Sequence, residues 1–197
     1  MPPPAWLEAV ERRAPRTVAV WRTLDGEEEA TDNGAFHAEL EQQVTPGDAP
    51  ALLAEADALA DALGGVLAAC SDDQLNAPAG DAGWNVAEIF AHATASRRWL
   101  VHAAALAARG EWPEEEPRTR PGIPGAADAP RELLETYLAK SRRSMATSAA
   151  AIAGHETEPC PLVHPLTGFL TCGQWLLFAS VHDLMHLEQL HALAADG

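Results

Sequence analysis

Apolar residues recur along this chain in long runs of helical spacing. Leu52, Ala56, Leu59, Leu63, Val66 and Cys70 follow a 4-3-4-3-4 rhythm, and Leu134, Leu138, Ser141, Met145, Ser148 and Ile152 repeat it. That rhythm keeps one face of a helix apolar. It predicts helices over about residues 50–69 and 130–153. Each run follows the triplet Asp-Ala-Pro, as Asp48-Ala49-Pro50 and Asp128-Ala129-Pro130. The Asp side chain is expected to accept hydrogen bonds from first-turn amides, and Pro brings no amide that needs one.

Two further helices announce themselves by their starts. In Trp84-Asn85-Val86-Ala87-Glu88, Asn85 can cap while Glu88, three residues on, bonds back; the helix then runs to about Arg109 and stops at Gly110. Thr171-Cys172-Gly173-Gln174 has the same spacing and opens a helix that continues nearly to the last residue. Each is about 25 residues, on the order of 35 Å. Four long amphipathic helices define an all-α fold, a four-helix bundle.

The connections are uneven. Ser71-Asp72-Asp73-Gln74-Leu75 predicts a short extra turn, whereas residues 110–128 and 154–170 are long crossover loops rich in Pro and Gly. A simple up-down-up-down order is therefore not required. The bundle occupies 49–197, and residues 1–48 form an N-terminal extension. In this arm Trp6, Leu7 and Val10 predict a short helix, and Thr17-Val18-Ala19-Val20-Trp21 predicts a short strand. Asp25-Gly26 and Asn33-Gly34 read as turns. The arm is left to pack on the bundle or on a second subunit.

Composition narrows the picture. A chain of 197 residues, rich in Ala, suits one helical domain with an appendage. It has no apolar run of membrane-spanning length, and MPPPAWLEAVERR lacks the order of a signal peptide, so a cytoplasmic protein is expected. Cys70, Cys160 and Cys172 are odd in number with no CxxC spacing, which points to reduced thiols. The net charge of −16, from 29 acidic against 13 basic residues, argues against nucleic acid or an anionic membrane as partner. The pairs Arg12/Arg13, Arg97/Arg98 and Arg142/Arg143 read as solvated helix faces, and Glu114-Glu115-Glu116 as a solvated loop.

Candidate chemistry lies in the last helix. Trp175, Ala179, His182, His186, Gln189 and Leu193 share its apolar stripe. Imidazoles four residues apart project the same way, so one metal ion can reach both. Spacing alone is weak evidence in a chain with eight histidines; placement on a buried seam strengthens it, because a buried ring needs partners for its nitrogens. A catalytic zinc-type centre usually has three protein ligands. His191 lies about 140° around the helix from His186, and His37, His155 and His164 belong to the arm or a loop. The second helix offers His92, on one face with Ile89, Ser96 and Trp99. Geometry favours it over His102, which points about 80° away.

At these residues the chain resembles a known family, the DinB-like metal-binding four-helix bundles, which include mycothiol-dependent maleylpyruvate isomerase-like proteins. The resemblance rests on SDDQLNAPAGDAGWNVAEIFAHA, on HPLTGFLTCGQWLLFASVHDLMHLEQL and, more loosely, on the start of the third helix; it covers roughly residues 50–195. It implies that His92, His182 and His186 ligate one divalent metal, of the Zn2+, Ni2+ or Fe2+ type. It further implies a homodimer, and a transferase that works with a low-molecular-weight thiol such as mycothiol or bacillithiol. Metal-dependent hydrolysis by bound water is the alternative, and a non-catalytic metal-binding dimeric module is the third reading. The arm, 1–48, falls outside this pattern.

Neighbouring residues admit plainer roles. Glu88 is explained by its capping box. Gln189 is the better candidate to orient a ligating imidazole, whereas Asp183 and Glu188 are expected to face solvent. Trp84, Trp99 and Trp175 read as bundle core, Trp99 with the option of lining a cavity. Cys172, at a helix N-terminus, is a candidate low-pKa thiol, about 15 Å along the axis from His182. Arg97 and Arg98 are expected at the surface.

Overall fold

A computed structural model of the protein describes residues 3–24, 34–78, 83–115, 123–165 and 167–195. In chain order its helices are α1 (Ala5–Glu11), α2 (Pro15–Trp21), α3 (Gly34–Gln43), α4 (Ala49–Ala69), α5 (Asp72–Leu75), α6 (Val86–Ala108), α7 (Arg131–Ile152) and α8 (Cys172–Ala195). A short hairpin, β1 (Pro159–His164) and β2 (Gly168–Thr171), precedes α8. The four long helices are those the spacing predicts.

Capping boxes set three of the starts. Asn85 Oδ1 accepts from Glu88 N at 2.9 Å while Glu88 Oε2 accepts from Asn85 N at 3.0 Å. Thr171 and Gln174 exchange the equivalent bonds before α8, and Ser71 and Gln74 do so at α5. A cap of this kind contributes about 1 kcal/mol.

The Asp-Ala-Pro triplets act otherwise than expected. Asp48 caps no amide of α4; its Oδ2 accepts from Thr45 N and Oγ1 at 2.8 and 2.7 Å, and its Oδ1 meets Arg16 at 2.9 Å. The first amide of α4 instead donates to buried Glu156, from Ala49 N to Oε1 at 3.2 Å, while Gly154 N donates to Oε2 at 3.0 Å. Burial alone would raise the Glu156 carboxyl. Backbone amides, its own and those of Gly47, Ala49 and Gly154, outweigh that and hold it below the usual range. Asp128 ends a 3-10 turn (Ala126–Asp128), and α7 begins after Pro130 with no side-chain cap.

One end of the core joins Leu52 to residues 100–108, 145–152 and 175–181. The other joins residues 59–70 to 86–91, Leu134 and residues 184–190. Hence α4 and α8 run one way and α6 and α7 the other, an up-down-down-up bundle. The parallel pair α6 and α7 explains the long crossover between them. Most of α8 is apolar all round, and it packs against α2, α3, α4 and α6 as the central rod. Each fully buried Leu along it contributes about 1.5–3 kcal/mol.

The arm is helical where a strand was expected. Thr17, Val18 and Val20 suit a strand by type, yet they lie in α2, buried toward α8. Pro15 starts this helix, and its first amides find an acceptor on another element. Glu55 of α4 takes hydrogen bonds from Thr17 N and Oγ1, both at 2.9 Å, and from Arg16 N at 3.3 Å. Tertiary capping thus overrides the local preference for strand. Gly34, read as part of a turn, is the first residue of α3. Asn33, Asp25-Gly26 and Glu116 lie outside the described residues.

The hairpin was not foreseen within the last crossover loop. Pro159 pairs with Thr171, Val163 with Phe169 and His164 with Gly168, with an irregularity between the first two pairs. Cys160, Leu162 and Leu170 face the core. Among the described residues no helix is long and apolar enough to cross a membrane.

Candidate metal centre

Antiparallel packing of α6 on α8 brings His92 against His182 and His186. Ring centroids lie 5.3 Å apart for His92 and His182, 4.8 Å for His92 and His186, and 4.4 Å for His182 and His186. One nitrogen from each ring falls within 4.8 Å of the others, so the group could hold a metal ion. His182 Nε2 and His186 Nε2 are 3.3 Å apart. Two nitrogens at about 2.0–2.1 Å from a tetrahedral ion are separated by about 3.3 Å, so this edge already has metal-site dimensions.

The protonation state suits the same role. His186 Nδ1 donates to Gln189 Oε1 at 2.8 Å, which leaves the lone pair on Nε2, facing His182. Gln189, expected on the buried stripe, does this although it is itself exposed. His182 Nδ1 is buried and without a hydrogen-bond partner among the described residues. His92 Nε2 lies 3.4 Å from Ser96 Oγ. Burial, reinforced by His186, His92 and His164, holds His182 well below the ordinary imidazole range. Burial lowers His186 to about 4, against the bond to Gln189, which pulls it upward. Both rings are therefore neutral near pH 7, the form that ligates. A donor set of three imidazoles fits a borderline divalent ion.

Asp183 and Arg97 do not lie at the surface, where the sequence reading placed them. Their side chains are 0% and 1% exposed, and Arg97 Nε meets Asp183 Oδ2 at 2.6 Å. Arg97 Nη2 also donates to Ala56 O at 2.6 Å, so one side chain ties α6 to both α8 and α4. Burial pushes the Asp183 carboxyl up to about 6, opposed by the guanidinium beside it. Asp183 is the residue directly after His182. Trp175 is fully buried, as expected of bundle core. Trp84 is only partly buried, and its ring packs 4.8 Å from that of His92.

The other histidines are outside the cluster, although His164 is near enough to act on His182. His102 is exposed, His155 pairs with Glu158 at 2.8 Å, and His191 stacks on Trp6 at 4.6 Å. His164 lies on β1 beside Trp175 and Phe178. Cys172 is no activated thiol: its hydrogen bond to Cys160, then burial, push its pKa up. A cavity of about 580 Å³ lies between α1, α4 and α8, with Trp6, Ala62, Gly65, Leu187 and His191 in its walls. None of the three clustered histidines lines it. A second cavity, about 280 Å³, is walled by Trp84, Glu88, Ile123 and Pro124 on the His92 side.

No curated protein and no solved structure matches the chain. Comparison with protein families matches residues 55–190 to the DinB superfamily. That span runs from α4 through most of α8 and takes in all three clustered histidines, and the chain belongs to the DinB superfamily.

Proposed function

We propose that His92, His182 and His186 bind one divalent metal, and that the protein is a transferase that depends on a low-molecular-weight thiol cofactor. The observation that supports this most is the meeting of three imidazole rings from two helices, with one edge already 3.3 Å long. An ion held by these three rings would supply the Lewis acidity that lowers the pKa of a thiol toward neutral pH. The chain's own residues do the rest. Burial keeps His182 and His186 unprotonated. Gln189 fixes the ring of His186, and Trp84 shields the ring of His92.

The test is elemental analysis of protein purified without chelator, beside its His182→Ala variant. One Zn2+, Ni2+ or Fe2+ per chain is expected in the first and none in the second. Thermal-shift measurements with mycothiol and bacillithiol then examine the thiol. Stabilisation that requires the metal supports the transferase. Turnover of an ester or amide with no added thiol would replace it by metal-assisted hydrolysis.

A further inference from the structure

The arm is clamped onto the bundle at two places. Trp6 of α1 stacks on His191 of α8, with ring centroids 4.6 Å apart and planes 14° from parallel. Arg13, just past the other end of α1, meets Asp61 of α4 at 2.6 Å. The 580 Å³ cavity takes all four of these residues into its walls. Both clamps therefore fix α1 against the bundle while the space beside it stays open.

The α4 wall is small by composition. Ala58, Ala62, Gly65 and Ala69 follow 4-3-4 spacing and all line the cavity. A Cβ at Gly65 would meet nothing within 4 Å, so no packed neighbour demands glycine there. Glycine inside a helix is less stable than alanine, and a side chain at this position would take up the open space. Gly65 and Ala69 are also exposed, which leaves an entry from solvent. Buried Val66 and Leu187 supply a further apolar surface.

We propose that this cavity is a second binding site, built by the arm on the bundle, for a small apolar molecule that carries an aromatic ring. Its volume falls within the range of ligand sites, about 300–1,000 Å³. The stacked rings of Trp6 and His191 favour an aromatic partner, which gains from offset or edge-on contact. Arg13 and Asp61 are paired with each other, so neither calls for a counter-ion in the ligand. None of the clustered histidines lines the cavity, and α1 lies outside the span matched to the DinB superfamily. The site is thus independent of the metal reading.

The experiment uses the full chain and N-phenyl-1-naphthylamine, an uncharged dye whose emission rises in apolar surroundings. Saturable binding of one dye per chain is expected, the same with chelator as without. Gly65→Leu puts a side chain into the space from a position with no neighbour to displace. It should weaken the dye about tenfold or more while the thermal midpoint holds or rises. Trp6→Ala should weaken it about three- to tenfold. In calorimetric competition, 2-naphthol should displace the dye about two- to tenfold better than its saturated analogue decahydro-2-naphthol.

Absence of saturable binding, or binding that both variants leave unchanged, would overturn the site. Equal displacement by the two alcohols would overturn the aromatic class. A dimer in light scattering that Gly65→Leu dissociates would give the cavity to a second copy of the chain instead. Failure of the protein to bind metal would alter none of these readouts, so the two readings stand or fall apart.

Discussion

Arg97 and Asp183 meet at 2.6 Å in the middle of the bundle, on neighbouring antiparallel helices, with neither side chain more than 1% exposed. Asp183 follows His182 in sequence, so the pair pins the segment of α8 that presents this histidine. Arg97 also reaches the backbone of α4. A single guanidinium therefore sets the spacing of three of the four long helices at the level of the histidines.

Removing one partner strands the other as a buried charge. Arg97→Ala is expected to cost about 3–5 kcal/mol in chemical denaturation, because it leaves the Asp183 charge uncompensated. Arg97→Met with Asp183→Leu removes both charges and should recover most of that loss. A double variant no more stable than the single one would show that packing, and not charge compensation, holds this region.

Gln189 is exposed, yet it fixes which nitrogen of His186 carries the proton. Gln189→Leu removes the acceptor and leaves the ring free to rotate and change tautomer. Metal affinity is expected to fall about 10- to 100-fold, with the fold unaltered. Competition titration against a chromophoric chelator measures this directly. An unchanged affinity would mean that packing alone orients the ring.

Acid should destabilise the metal-free protein. His186 titrates at about 4 in the folded chain, against 6.5 ordinarily. Between those values the unfolded chain holds a proton that the folded one refuses. Stability is therefore full above pH 6.5 and is lost as pH falls toward 4, by at most about 3 kcal/mol. His182 shifts in the same direction. Asp183 opposes them: raised from 3.8 to about 6, its folded form keeps a proton longer, which favours the fold as pH drops through that window. Two imidazoles outweigh one carboxyl, so Tm measured in chelator should fall from pH 7 to pH 4.5. His186→Gln should flatten that slope, and a Tm that rises on acidification would reverse the assignment.

The long helices and the histidine pair of α8 were legible because each rests on local signals, whereas His92 joined that pair through its helix face and the family resemblance. The 4-3-4 stripes, the Asn85 and Thr171 boxes and the paired histidines of α8 are readable within a few residues. What escaped depended on distant partners. Thr17, Val18 and Val20 look like strand until Glu55, 38 residues from Thr17, caps their helix. Asp48 looks like a cap, yet Glu156 takes the amide of Ala49 from 107 residues away. Asp183 is buried because α8 is not a one-faced helix. Its run Trp175-Leu-Leu-Phe-Ala-Ser-Val-His-Asp-Leu-Met-His-Leu is apolar on every side, the mark of a central rod, and a charge in such a run is buried. That signal was available, and it called for a basic partner on a neighbouring helix.

Two glycines of the long helices should respond in opposite ways to the same substitution. A Cβ at Gly173 would stand 2.7 Å from Val44 Cγ1, 2.8 Å from Glu156 Cβ and 2.9 Å from Glu156 O, distances at which atoms must move. Glu156 cannot move easily, because its carbonyl accepts from Gly173 N at 2.9 Å while its carboxylate anchors Ala49 and Gly154. Gly173→Ala is therefore expected to destabilise by about 1–3 kcal/mol, as overpacking does. At Gly65, inside α4, a new Cβ meets nothing within 4 Å. Gly65→Ala should stabilise by about 0.5–1 kcal/mol, because Ala loses less backbone freedom in a helix. Denaturant titration of the two variants reads the contrast, and equal midpoints would mean that the start of α8 yields where the packing says it is locked.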